Sequence, residues 1–239
     1  MAYHNHAMGF GARTGGAYTR RQATHTIEVL RSEPFWQAQA ALLGAVILYL
    51  SLPSKFVVGP NWLMPALEVL LIFGLWLDRP RTNRVQAGRE RRIVLPLLGL
   101  VAASNLVSLE LLVHYLLNGG KKAGGHQLIL SAVVIWLTNV AIFALWFWQL
   151  DRGGPDRRAR DPDAAADFQF PQMTEPSNYP DWRPNFVDYL YLSYTNSTAL
   201  SPTDTMPMTT RVKLLMMAQS ITSLVTVLLV AARAVNILQ

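Results

Sequence analysis

Apolar residues in this chain run in long, nearly unbroken blocks separated by charged or Pro/Gly-rich breaks, a pattern unlike the one-sided stripes of a soluble helix or the alternation of a half-buried strand. The first block runs from about Phe35 to Leu52 and ends at Pro53; the second runs from about Pro60 to Leu77 and stops at Asp78, Arg79 and Pro80. A third covers Ile93 to Leu117 before Asn118, Gly119 and Gly120, and a fourth covers Gln127 to Leu150 before a break at Asp151 to Pro155. The last extends from Val212 to Leu238. At about 1.5 Å per residue, helices of these lengths reach across a hydrocarbon core of about 30 Å.

Two stretches break the rhythm. Residues 151–184 are rich in Asp, Arg and Ala and carry Pro155, Pro162, Pro171, Pro176, Pro180 and Pro184, which exclude a long helix and predict a mostly irregular hydrophilic loop. Asn185 to Leu200 is amphipathic but too short and polar to span, so it predicts an interfacial or re-entrant helix. Residues 1–34 form a polar, basic, Gly-containing segment that predicts a flexible tail. The expected fold is an all-α membrane protein: a bundle of about five transmembrane helices plus one short amphipathic or re-entrant helix. Its parts are the tail at 1–34, four spans within 35–150, the Pro-rich loop at 151–184, and the short helix, turn and last span at 185–239.

Composition agrees with that pattern. Hydrophobic residues make up 51% of the chain, charged residues 15%, and mean hydropathy is +0.20. Cysteine is absent, which excludes disulfides, thiolate metal sites and a cysteine nucleophile. The formal net charge of +6 does not point to nucleic acid, because the arginines flank apolar blocks and act as topology determinants. Arg79, Arg81, Arg84, Arg89, Arg91 and Arg92 crowd the link between the second and third blocks, and Arg152, Arg157, Arg158 and Arg160 follow the fourth. The opposite links hold only Lys55, and Lys121 with Lys122. The positive-inside rule then places the N-terminus and residues 151–211 in the cytoplasm and, if 185–200 does not cross, the C-terminus outside.

Polar side chains inside apolar blocks are the candidates for function. Glu68 falls in the second block, Glu110 and His114 share one face of the third, Thr138 and Asn139 lie in the fourth, and Arg233 with Asn236 lies late in the last. Glu68, Glu110, His114, Asn139 and Arg233 could meet as an intramembrane cluster, read either as a structural tie between helices or as a proton or ion relay with His114 as its titrating group. The turn from Tyr194 to Thr210 is crowded with hydroxyls; Asp188, Asn196, Thr198, Asp204 and Thr209 are its candidate polar residues, and helix capping competes with cation coordination there. No metal-ligand spacing, phosphate-binding Gly loop or nucleophile–base pair occurs, so no cofactor, no metal and no catalysis are expected.

Asp188 through Thr195, Thr203 and Asp204, Arg211, the closing Ala234 to Leu238 and the aromatic-rich Trp146 to Leu150 resemble a family of bacterial integral membrane proteins known as a domain of unknown function. The resemblance extends from about Arg79 to the C-terminus and implies an inner-membrane location without an established activity. The spacing of Asp204, Pro207 and Thr209 after a short amphipathic helix is also distantly similar to the pore helix and inner helix of potassium channels. Thr198 to Thr203 lacks the glycines and the aromatic of that family's filter, so potassium selectivity does not carry over. The expected role is channel- or transporter-like movement of an ion or small solute. The alternative is a scaffold or accessory subunit that binds a partner through the cytoplasmic loop and its exposed aromatics Phe168, Phe170, Tyr179 and Trp182. The bilayer is the expected partner, with a homo-oligomer and a protein partner left open.

Overall fold

The computed structural model describes residues 35–53, 84–117, 125–161, 163–198 and 204–238, with the single positions 56, 66, 69, 70 and 73. The chain is mostly helical. Its main elements are α1 (Phe35–Leu50), α2 (Arg84–Leu117), α3 (Gly125–Leu150), the short α4 (Pro155–Arg160), α5 (Phe186–Thr198) and α6 (Thr210–Leu238). Three helices are long and apolar enough to cross a membrane, over Val94–Leu117, His126–Arg160 and Thr210–Arg233, and Trp36–Leu50 is a shorter apolar helix. The N-terminal tail, the second block with Glu68, and Lys55, Lys121 and Lys122 lie outside the described residues; within that block only Ala66, Val69, Leu70 and Phe73 are described, as helical.

α3 is the most enclosed of the long helices and α6 the least. α3 packs against α1, α2, α5 and α6, so it is the post around which the bundle is built. Two apolar clusters sit at its two ends. One joins Leu42 of α1, Leu98 of α2, Phe147 and Trp148 of α3, Tyr189 of α5 and Val212 of α6. The other joins Leu52 and Phe56, Leu112 of α2, and Leu128 and Ile135 of α3, with Leu229 and Val230 of α6 packed on it. The starts of α1, α2, α5 and α6 therefore gather with the end of α3, at what we call the cap end.

One expectation about loops is corrected and another refined. The basic link before the third block is helical from Arg84, because Arg, Gln, Ala and Glu favour helix, and α2 carries Pro96 without ending there. Residues 151–184 are mostly irregular, as expected, but they are packed into a cap rather than left as a solvated loop. The prolines do exclude a long helix, but between them stand a 3₁₀ turn at Asp151–Gly153, α4, a second 3₁₀ turn at Pro171–Thr174, and β1 (Phe168–Gln169). β1 pairs antiparallel with β2 (Met206–Pro207), Phe168 opposite Pro207 and Gln169 opposite Met206, a two-residue ribbon that the all-helical expectation lacks. Phe168 and Phe170 are buried at 0% and 3% exposure, against the expectation that they are displayed; Trp182 is half-buried and Tyr179 exposed. Phe170 meets Tyr189 edge-on at 5.4 Å and Trp182 at 5.5 Å, and Phe168 meets Phe147 at 5.2 Å. The rings of Phe168 and Phe170 thus pack on other aromatic rings of the chain.

Candidate functional site

Two buried polar regions stand out, one in the cap and one at mid-bundle. The cap begins where α3 stops. Arg152, Gly153 and Gly154 take φ of 52°, 86° and 100° in succession, which turns the backbone away from the helix axis. Gly154 combines φ 100° with ψ 169°, a region open essentially to glycine alone. The turn buries Asp151 completely. Its Oδ1 accepts the N–H groups of Asp167 at 2.8 Å and Phe168 at 3.3 Å, and its Oδ2 accepts the Tyr189 hydroxyl at 2.6 Å. Arg158 of α4 reaches back to donate to the carbonyls of Trp148 at 2.7 Å and Asp151 at 3.0 Å, satisfying the open C-terminus of α3, with its guanidinium 5.1 Å from the Tyr189 ring centroid.

Asp167, 1% exposed, is the second anchor. It accepts the Arg152 N–H at 3.0 Å, the Thr209 hydroxyl at 2.7 Å and Arg211 Nε at 2.8 Å, with Arg211 Nη2 on its other oxygen. Burial alone would raise the Asp167 carboxyl; hydrogen bonds from Arg211 and Thr209, the Arg211 charge and the Arg152 N–H outweigh it and hold the group below its ordinary value. Met208 N–H donates to the Asp167 carbonyl at 2.8 Å, so the start of α6 is tied to the cap by backbone and side chain.

The mid-bundle region lies between the two apolar clusters. Ser104, Asn105 and Ser108 of α2, Thr138 and Asn139 of α3, Ser193 and Ser197 of α5, and Gln219, Ser223 and Thr226 of α6 are all buried there. Asn139 Nδ2 donates to Ser223 Oγ at 3.0 Å and the Gln219 carbonyl at 3.4 Å. Gln219 Nε2 donates to Ser193 Oγ at 2.6 Å, Ser197 Oγ at 2.7 Å and the Ser193 carbonyl at 3.0 Å, and its Oε1 accepts Asn196 Nδ2 at 2.8 Å. Ser193 Oγ in turn donates to the Val140 carbonyl at 2.7 Å.

This layer fixes the path of α5. An N-terminal capping box opens the helix: Asn185 Oδ1 accepts the Val187 N–H at 2.9 Å while Asp188 Oδ2 accepts the Asn185 N–H at 2.7 Å. Phe186 then packs on Trp148 at the cap end, whereas the Ser197 carbonyl accepts Trp136 Nε1 at 3.4 Å much further along α3. With 13 residues α5 is about 20 Å long and stops at the polar layer. By Met206 the chain is back at the cap, beside β1.

The expected intramembrane cluster is placed as follows. Asn139 joins the polar layer; Glu110 and His114 are exposed on α2; half-buried Arg233 lies against Leu112, Leu116, Leu128 and Leu229, and no ion pair joins it to Glu110 among the described residues. Glu68 lies outside those residues. Of the turn residues, Asn196 bonds Gln219, Thr198 Oγ1 bonds the Thr195 carbonyl at 2.8 Å, Asp204 is exposed, and the Thr209 hydroxyl binds Asp167 just before the first residue of α6. Burial pushes the Asp188 carboxyl up, partly offset by the Asn185 N–H. Among the described residues no group of three His, Asp or Glu side chains could hold a metal. Sequence reasoning missed Asp151, Asp167, Gln219, Ser193 and Ser197. Ser193 and Ser197 repeat at four residues, and Gln219, Thr222, Ser223 and Thr226 recur at three and four along an otherwise apolar helix, which is the signal that marks a shared polar face.

Comparison with protein families, with characterised proteins and with solved structures returned no match. What the chain itself defines is a mostly helical protein with three helices long and apolar enough to cross a membrane.

Proposed function

We propose that this is a multi-pass protein of a cell inner membrane that crosses the bilayer about five times, and that α5 with the mid-bundle polar layer forms the path or gate for an ion or small solute. The observation that carries the reading is that α5 stops at the polar layer, where Asn196, Ser193 and Ser197 meet Gln219. Buried polar side chains at membrane depth are costly and concentrate along substrate and ion pathways. A half-length helix also brings the negative end of its dipole to that depth, which favours a cation, as in transporters built on discontinuous helices. Ser108 Oγ, buried on the α2 side, has no hydrogen-bond partner among the described residues and is free to serve a passing solute.

The cap supports this crossing number and orientation. α1, α2 and α6 start there and α3 ends there, which is compatible with one further crossing in the chain between α1 and α2 and with five in all. Arg92, Arg157, Arg160 and Lys213 gather at that end, which favours the cytoplasm by the positive-inside rule. In this orientation α5 enters from the cytoplasmic side, the reverse of a potassium-channel pore helix. The bacterial family of unknown function remains the closer resemblance. Purified protein in liposomes is expected to pass a small cation at a rate that Gln219→Leu abolishes without unfolding the protein. Equal flux in Gln219→Leu, or none from the parent chain under either sign of applied potential, overturns the reading. Paired reporters at the C-terminus test the topology separately and are expected to read outside.

A further inference from the structure

Alongside α5 and β2, the outer flank of α6 carries an open groove of about 420 Å³. Lys213 lies at its cap end; Pro207, Met216, Met217 and Ile221 supply apolar walls, and Ser220 and Asn196 lie deeper. The two deep polar groups are already bonded to each other, Ser220 Oγ donating to Asn196 Oδ1 at 3.2 Å, so the groove below Lys213 offers mainly apolar surface. Lys213 is exposed and makes no ion pair among the described residues, whereas its neighbour Arg211 is committed to Asp167. No carboxylate among the described residues lines the groove. From Lys213 to Ile221 the helix rises about 12 Å. The groove therefore has one cation at its mouth, Lys213, without an ion-pair partner among the described residues, beside the first turn of a span, and an apolar channel leading inward from it.

We propose that this groove binds an anionic phospholipid from the leaflet at the cap end, with its phosphate on Lys213 and an acyl chain along Met217 and Ile221. The inference rests on α6 being a membrane span, but not on solute movement. Juxtamembrane cations attract anionic headgroups, and apolar clefts of this size bury small ligands well. A zwitterionic lipid offers the same chain but no net charge to the lysine.

The test is native mass spectrometry of the full chain in detergent, titrated with phosphatidylglycerol or phosphatidylcholine of identical acyl chains. Phosphatidylglycerol is expected to bind at least about fivefold more tightly, a difference of about 1 kcal/mol at 1.4 kcal/mol per tenfold. Lys213→Gln should bring its affinity down to that of phosphatidylcholine, and Ile221→Trp, which fills the channel at an exposed position, should weaken both lipids. Arg157→Gln, exposed on α4 away from the groove, should change neither. Equal binding of the two lipids by the parent chain, a charge preference that survives Lys213→Gln, or displacement of the lipid by inorganic phosphate alone each overturns the proposal. Retention in the membrane pellet after an alkaline wash, measured on the same preparations, reports separately on the spanning of α6.

Discussion

The cap and the mid-bundle layer are both buried, both polar and both join α3, α5 and α6, yet they are built from different chemistry. The cap relies on charge: carboxylates Asp151 and Asp167, guanidiniums Arg158 and Arg211. The layer relies on amides and hydroxyls: Asn139, Asn196, Gln219, Ser193, Ser197 and Ser223. An ion is tolerable at the water-facing end of a bundle, where its partners can remain partly hydrated, as Arg211 does with about half its side chain exposed. The same ion at mid-depth would cost several kcal/mol more, whereas a neutral amide finds partners on neighbouring helices. The difference assigns stiffness to the cap and exchangeability to the layer. Charged, multiply bonded anchors hold one geometry, and under the proposed function the neutral bonds of the layer are the ones traded for a solute or for water.

Breaking the cap should therefore cost the most stability. Asp151→Ala strands the Asp167 and Phe168 N–H groups and the Tyr189 hydroxyl, and should destabilise by about 3–5 kcal/mol, read as a large fall in the thermal midpoint in detergent. Arg211→Ala leaves a buried carboxylate with fewer donors and should cost about 2 kcal/mol. Because the folded Asp167 carboxyl sits below its unfolded value, its contribution is complete above about pH 4 and is lost as pH falls through the depressed value. The midpoint of Asp167→Asn should start lower at neutral pH and fall less on acidification than that of the parent chain. A parallel fall in both proteins would remove Asp167 from the account.

Gly154→Ala forces a side chain into a glycine-only backbone region, with its Cβ 3.3 Å from the Gln149 carbonyl oxygen, and should cost about 2 kcal/mol. The layer gives the smallest effect on stability and the sharpest contrast. Gln219→Leu removes four hydrogen bonds, but intramembrane bonds of this kind average about 0.6 kcal/mol each and are not additive, so the midpoint should drop by the equivalent of only about 1–2 kcal/mol. A loss as large as that of Asp151→Ala would erase the proposed distinction between a stiff cap and an exchangeable layer.

Helix positions were legible because apolar block length alone decides them. α1, α3 and α6 begin and end within two residues of where the apolar pattern stops, and α5 occupies nearly all of the amphipathic stretch. The cap was not legible, because its prolines and charges carry the same composition as a solvated loop. What separates the two is pairing at long range: Asp151 with Tyr189, Asp167 with Arg211, and β1 with β2 all join residues far apart in sequence. The polar layer was half legible. Asn139 was visible as an amide in an apolar block, while Gln219 passed unnoticed because its partners Ser193 and Ser197 lie on the helix before it.

The ligands of Asp167 also have an order in time. Arg152 precedes it by a short stretch, but Thr209 and Arg211 follow only after the cap and α5 have been made. During synthesis the carboxylate must wait, unburied, until the first turn of α6 has left the ribosome, and the two-residue ribbon cannot close before β2 exists. The cap can therefore close only on a chain that has reached the start of α6, and the polar layer, which needs Gln219 and Ser223, can close only after it. A nascent protein stalled before Met206 would leave the Asp167 carboxylate without its Thr209 and Arg211 donors and β1 without its partner strand, and unpaired strand edges of this kind make an unfinished chain prone to misassembly.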